Sequence, residues 1–284
     1  MSKSGLNNVQ NNSDSLRVHL VSLGCPKNLV DSERLMAATQ TLGFRATLEP
    51  EEADLLVVNT CAFIQAATEE AIAAIMDMAA RKKPGARLAV VGCLASRYGS
   101  ELSGNLPEAD LIMAPEGYLG FIDKLAAWYD LAHPKAGPQS GHLAGTRAGS
   151  QDGAWSDTRT GSQGGAWAGF QSGYLAGDKF GVVGQGFSEA FGPEAFRGPF
   201  ETWARYPGTP PWRSWLKIAE GCDNRCSYCL IPSLRGPLKL RSLGELLAEA
   251  EKLAGAGVKE LTLVAQDLTA WSDRDKGLPD LARA

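Results

Sequence analysis

From Arg17 onward the chain alternates short unbroken apolar runs with longer stretches in which apolar residues recur every three or four positions. That alternation predicts repeated strand–helix units. Residues 17–23 read as a first strand, and the segment through Gln40 reads as a helix that stops near Gly43. Residues 55–58 form a second apolar run. Its helix is expected to open at Thr68, a good N-cap, followed by Glu69 and Glu70. It closes on Arg81, Lys82 and Lys83 before Pro84-Gly85, so its charges oppose the helix dipole at both ends. Ile72, Ile75, Met76 and Ala79 are predicted to face the core. Residues 87–91 and 110–113 read as third and fourth strands, with a helix over 118–131. Continuous apolar strands alternating with helices imply an α/β fold: an open parallel sheet with helices on both faces.

The pattern is lost from about residue 133 to 211, where Gly, Ser, Ala and Gln dominate. Within this stretch Ser150-Gln151-Asp152-Gly153-Ala154-Trp155 is echoed by Ser162-Gln163-Gly164-Gly165-Ala166-Trp167. Such a composition buries too little apolar surface to offset its ordering entropy, which predicts a disordered linker. Strand periodicity resumes over 216–219. Ser242 and Glu245 then form a capping box that opens a helix ending near Gly255, and 261–265 is the next strand. The second region therefore reads as the first βαβ portion of a barrel. The expected organisation is a disordered N-terminus (1–16), a first domain (17–132), a Gly/Ser-rich linker or insertion (133–211) and the start of a second domain (212–284).

The chain has 284 residues, a hydrophobic fraction of 44% and a formal net charge of −4. The acidic balance gives no electrostatic footprint for non-specific nucleic-acid binding. The first fifteen residues are polar and no apolar run reaches the ~18 residues a membrane span needs, so neither signal peptide nor anchor is expected. Six cysteines without a secretion signal point to a reducing cytoplasm and to metal or catalytic roles, with disulfides as the alternative.

The cysteines carry the chemistry. Cys222-Asp223-Asn224-Arg225-Cys226-Ser227-Tyr228-Cys229 places three thiols at Cys-x3-Cys-x2-Cys spacing. Three thiolates can hold three irons of a cubane that normally takes four cysteines, leaving one iron open to a small molecule. Structural zinc wants four closed ligands, and no fourth Cys or His lies nearby. The other three follow successive predicted strands, at Gly24-Cys25, Thr60-Cys61 and Gly92-Cys93. Parallel strands about 4.8 Å apart all end on one edge, where open α/β sheets bind ligands. Cys25, Cys61 and Cys93 can therefore converge as a second three-cysteine site, or stand as three unrelated buried thiols.

The stretches Ser22-Leu23-Gly24-Cys25-Pro26-Lys27-Asn28-Leu29-Val30-Asp31-Ser32-Glu33, Asn59-Thr60-Cys61-Ala62-Phe63 and Val91-Gly92-Cys93-Leu94 resemble the N-terminal domain of methylthiotransferases. Glu220-Gly221-Cys222 through Cys229-Leu230-Ile231-Pro232 is similar to the radical SAM cysteine loop of the same family, closest to the RimO type. That resemblance implies a radical SAM partial barrel and methylthiolation of an aspartate of a small-subunit ribosomal protein. It implies two 4Fe–4S clusters, on Cys25, Cys61 and Cys93 and on Cys222, Cys226 and Cys229, the latter binding S-adenosyl-L-methionine. A 5′-deoxyadenosyl radical would remove a substrate hydrogen, and a second S-adenosylmethionine would give the methyl group. An electron donor such as flavodoxin or ferredoxin is implied as a partner.

Tyr228 is a candidate contact for the adenine of the cofactor, and Gln266 and Asp267, at a strand's carboxyl end, are candidates for cofactor or substrate. Arg235, Lys239 and Arg241 read as a solvated basic face, with balancing of thiolates or a carboxylate as the alternative. The three histidines show no ligand spacing. The linker is longer than the family pattern, and later barrel strands and a C-terminal β-barrel are missing from it. The resulting expectation is a truncated, inactive product with open strand edges. Methylthiolation of a transfer-RNA adenosine is the rival activity. Lys27 and the acidic charge favour a protein substrate. A non-catalytic iron–sulfur or zinc protein is the rival of another class.

Overall fold

The computed structural model describes residues 16–131, Phe200, 204–206 and 208–283. The expected N-terminal disorder, most of the linker and its internal echo lie outside the described residues. The first region runs β1 (Arg17–Ser22), α1 (Pro26–Thr41), β2 (Arg45–Ala46), β3 (Leu55–Thr60), α2 (Gln65–Arg81), β4 (Arg87–Gly92), α3 (Cys93–Asn105), β5 (Leu111–Met113) and α4 (Phe121–Tyr129). Its sheet is wholly parallel in the order β2-β1-β3-β4-β5.

Alternation of side chains along each strand divides the core in two. Val18, Leu20, Leu55, Val57, Ala89 and Val91 pack against α1 and α4. Leu56, Val58, Leu88 and Val90 pack against α2 and α3. Every residue of β3 is buried, as a central parallel strand covered on both faces requires. The order reverses between β1 and β3, so this is the switch point at which doubly wound sheets open a crevice.

The second region contains β6 (Arg213–Lys217), β7 (Ala219–Glu220), α5 (Ile231–Arg235), β8 (Lys239–Leu240), α6 (Leu243–Gly255), β9 (Glu260–Val264), β10 (Ser272–Asp273), β11 (Lys276–Gly277) and α7 (Leu278–Leu281). Strands β6 and β9 pair in parallel from Arg213↔Glu260 to Lys217↔Val264. With α6 they form the expected βαβ unit around Leu216, Ile218, Leu246 and Trp271. The Ser242–Glu245 capping box is present in full. Antiparallel pairing of β7 with β8 closes the base of the cysteine loop. Among the described residues no helix is long and apolar enough to cross a membrane.

Three local expectations need correction. Helix α2 starts at Gln65, behind an Ile64 that makes no side-chain cap, so Thr68 lies inside it, its Oγ1 bonding back to the Ile64 carbonyl. Its buried face is Ala71, Ile75 and Met78, whereas Met76 is exposed. Burial on this helix follows where it meets the sheet rather than the most apolar reading of its sequence. The helix expected over 118–131 is a 3-10 segment (Pro115–Gly120) running into α4. Helix α3 had no counterpart in the periodicity. Residues 204–206 and 208–211, expected in the linker, are packed in place, with Ala204, Arg205 and Gly208 buried.

The corrected face of α2 makes a direct prediction. Ile75→Ala should lower stability by about 2–5 kcal/mol through the cavity it leaves, and Met76→Ala by less than about 0.5 kcal/mol, in urea unfolding followed by circular dichroism.

Candidate functional site

The carboxyl ends of β1, β3 and β4 carry Cys25, Cys61 and Cys93. Cys25 is the N-cap of α1, with Pro26 opening the helix, and Cys93 is the first residue of α3. Cys61 sits in the turn before α2. Two of the thiols thus meet the positive end of a helix dipole, which favours an anionic ligand atom. Gly24 makes the approach possible. Its φ is +89°, and a Cβ there would lie 2.5 Å from the Cβ of Cys61 and 3.0 Å from its sulfur.

Buried polar side chains fix these loops. The Asn28 side-chain amide donates to the carbonyls of Leu23 at 3.0 Å and Thr60 at 2.9 Å. Asn59 donates to the Asn28 carbonyl and to Ser32 Oγ, both at 2.9 Å, and accepts from the Tyr118 hydroxyl at 3.2 Å. Thr60 Oγ1 donates to the Val91 carbonyl at 2.6 Å and accepts from the Leu94 N–H at 3.2 Å. Each cysteine-bearing turn is therefore bonded to its neighbour along the carboxyl edge of the sheet.

All three thiols line one cavity of about 680 Å³, whose other wall is Ile231, Leu234, Arg235 and Gln266 of the second region. Phe63, Ile64, Ala66 and Ala67 give it an apolar side, and Lys27 a cationic one. Burial pushes the Cys61 thiol up, and the Cys93 thiol up to about 11, with Arg235 opposing burial in both cases. A metal binding there would displace those protons. Among the described residues no three His, Cys, Asp or Glu side chains converge closely enough for a single metal ion. Mononuclear sites with bonds of about 2.3 Å need such convergence.

The second trio lies on the loop between β7 and α5, with Cys222 buried, Cys229 half-buried and Cys226 exposed. Gly221 turns the chain with φ +74°, where a Cβ would lie 2.1 Å from the Pro237 carbonyl. The Cys222 N–H donates to the Gly236 carbonyl at 3.2 Å, and the Ile231 N–H to Cys229 Sγ at 3.5 Å. Asp223 accepts from the Leu238 N–H at 2.9 Å, and Asn224 donates to Asp267 at 2.8 Å. Polar groups pin both ends of the loop and leave its centre in solvent.

The other expected residues separate by position. Gln266 lines the cavity, its amide nitrogen donates to Glu220, and its buried Oε1 has no partner among the described residues. Asp267 does not line the cavity, and bonds from Thr269 and Asn224 hold its carboxyl low. Tyr228 is 83% exposed and also lies outside the cavity wall. His19 is buried against the Thr47 carbonyl, far from this chemistry in the sheet, and His133 and His142 lie outside the described residues.

Sequence reasoning missed a cluster of buried charges between the two regions, and the reading of Arg235 and Arg241 as a solvated face is corrected. Both are buried, and only Lys239 of that group is exposed. On α1, Asp31, Glu33 and Arg34 are each at most 1% exposed. Arg235 reaches across to Asp31 at 2.7 Å, Asn28 Oδ1 and Cys93 Sγ at 3.1 Å, and lies 3.4 Å from Glu220. Lys217 bonds Asp31 and, at 2.7 Å, Glu220. Arg205 binds Glu33 through two nitrogens and Glu249 at 2.9 Å, and Gly208 N–H adds a 2.7 Å bond to Glu33. Arg241 meets Glu249 at 2.6 Å, and Arg34 lies 3.5 Å from it while stacking over Phe200. A basic triplet after a cysteine loop, and acids inside a helix flanked by apolar residues, were the only signals available in the sequence.

The comparisons with known proteins follow this division. Residues 17–114 match the family described as "Uncharacterized protein family UPF0004", and residues 216–284 the "Radical SAM superfamily". The chain therefore joins a cysteine-bearing parallel-sheet region to a segment that resembles the radical SAM superfamily. A ribosomal protein uS12 methylthiotransferase RimO from Syntrophus aciditrophicus is 38% identical over 267 residues, covering 93% of this chain and 48% of that protein. The proteins of the same name from Desulfotalea psychrophila and Trichlorobacter lovleyi are 35% and 37% identical, each over 91% of this chain and 46% of their own length. The chain resembles these RimO-type methylthiotransferases over nearly all of its own length and spans about half the length of the curated relatives it matches.

The interface charges give a pH prediction. Burial alone would raise the Glu249 carboxyl, but Arg34, Arg205 and Arg241 outweigh it and hold it at about 2, against an ordinary 4.5. A depressed carboxyl stabilises the fold above its unfolded value and loses that contribution as pH falls from about 4.5 towards 2. The stability difference between the native chain and Glu249→Gln should therefore shrink across that window. Urea unfolding at a series of pH values reads it, and a difference constant from pH 6 to about 2.5 would contradict the assignment.

Proposed function

We propose that this chain supplies the cysteine-bearing portion of an enzyme that methylthiolates an aspartate side chain of a small-subunit ribosomal protein. The observation that carries the proposal is the convergence of Cys25, Cys61 and Cys93 on one cavity whose far wall comes from the helix that follows the second cysteine trio. In this reading Cys25, Cys61 and Cys93 hold one 4Fe–4S cluster. Cys222, Cys226 and Cys229 hold another with one iron left for S-adenosylmethionine. When bound, these groups supply the one-electron chemistry, the sulfur and the methyl group.

The chain's own residues bind and orient. Helix N-termini at Cys25 and Cys93 stabilise anionic sulfur. The Ile231 N–H does the same at Cys229. Gln266, with a buried acceptor free beside the cavity, offers a partner to the ammonium of S-adenosylmethionine. Tyr228, an exposed ring beside Cys229, and Asp267, which braces the loop through Asn224, are proposed as further contacts to that cofactor. Phe63, Ile64, Ala66 and Ala67 give the cavity an apolar side against which a substrate backbone can pack.

Lys27 supports the acidic substrate. It lines the cavity, no carboxylate pairs with it among the described residues, and its polar contact is the Ala265 carbonyl at 3.5 Å. A flavodoxin- or ferredoxin-class protein as electron donor and a cytoplasmic setting belong to the same proposal.

Anaerobic reconstitution with iron and sulfide tests it. The chain should take up about eight irons, and either triple Cys→Ala variant about four. Addition of S-adenosylmethionine should alter the electron paramagnetic resonance (EPR) spectrum only when Cys222, Cys226 and Cys229 are intact. One equivalent of bound zinc with no sulfide would overturn the reading.

A further inference from the structure

Arg235 stands where the two cysteine sites meet. It is the last residue of α5, the helix that begins just after Cys229, yet its guanidinium is spent on the other region. Its Nε lies 3.1 Å from Cys93 Sγ, its Nη2 bonds Asn28 Oδ1, and its Nη1 bonds Asp31 Oδ2 at 2.7 Å. Nη1 also lies 3.4 Å from Glu220, two residues before Cys222. Among the described residues it is the one side-chain donor on a sulfur of the N-terminal trio. The side chain is 3% exposed, so its charge acts in a medium that screens it poorly.

We propose that Arg235 is a positioning residue that sets the reduction potential of a cluster held by Cys25, Cys61 and Cys93, with Asp31 as its counterweight. The inference rests on the two-cluster reading above. Cluster potentials respond to net local charge and to hydrogen bonds on the ligand sulfurs, and Arg235 provides both at Cys93. A cation donating to the sulfur favours the more negative, reduced state and raises the potential. Asp31 opposes this, because its carboxylate binds the same guanidinium from the far side. Lysine would keep the charge but not the planar fork that reaches sulfur, amide and carboxylate together. One guanidinium thereby links the electronics of the first site to the chain segment that carries the second.

The test uses the full chain with Cys222, Cys226 and Cys229 changed to alanine, so that only the first site loads, reconstituted anaerobically and followed by EPR-monitored potentiometry. Arg235→Gln should shift the potential negative and Asp31→Asn should shift it positive, with Arg235→Lys between Arg235→Gln and the parent. Opposite signs from two substitutions at one ion pair are not what a merely structural role produces. If Arg235→Gln fails to fold, Asp31→Asn and Arg235→Lys still decide the matter. Unmoved potentials, or shifts of one sign, in iron-loaded folded protein would overturn the role of Arg235. Failure of the parent to form any cluster would instead overturn the two-cluster reading beneath it.

Discussion

The structure depends on a buried layer of charge between its two regions. Asp31, Glu33, Glu220 and Glu249 face Arg34, Arg205, Lys217, Arg235 and Arg241, all of them largely removed from water. Moving an ion out of water costs several kcal/mol even after relaxation, so such a layer is tolerable only when nearly every charge is met by opposite charge and hydrogen bonds. Here each carboxylate has at least two donors. Removing one partner would leave another charge stranded, at a cost of about 3–5 kcal/mol. Hydrophobic packing would hold two surfaces together with less demand on geometry. Charge pairing demands one register, and that register places Arg235 on Cys93.

The consequence is a site that neither region builds alone. The parallel sheet delivers three thiols to its switch point, and the polar ladder of Asn28, Asn59, Ser32 and Tyr118 keeps their turns in step. The second region contributes Arg235 and Gln266 as the opposing wall and keeps its own cysteine loop on the adjoining segment. The end of the stretch read as linker joins in, since Arg205 clasps Glu33 and Glu249 together. The interface is therefore part of the cavity wall around the three thiols. A shift of helix α1 against β6 would change the surroundings of the sulfurs as well as the stability of the contact.

Much of this was legible in the sequence because it rests on local rules. The continuous apolar runs of β3 and β4 named a parallel sheet, the Ser242–Glu245 pair named the start of α6, and the cysteines after successive strands named the edge where they meet. The parts not legible are those decided by tertiary contact. Thr68 satisfies the preferences of an N-cap, but the chain enters the helix at Gln65, and Met76 is apolar but points away from the sheet. Asp31, Glu33 and Arg34 look like the wet side of an amphipathic helix until a second region covers them. Arg235 and Arg241 look like a solvated patch for the same reason. No pattern within one helix reveals a charge whose partner lies 204 residues away in sequence.

The central claim is that the interface holds the two cysteine trios as neighbours across one cavity wall. If both trios hold the clusters proposed for them, dipolar coupling between the two in reduced form tests this directly, by comparing the EPR spectrum of the fully loaded chain with those of the two triple Cys→Ala variants. The account predicts a broadened, fast-relaxing spectrum in the fully loaded chain that the single-site spectra do not contain. A spectrum equal to the plain sum of the two single-site spectra would contradict it.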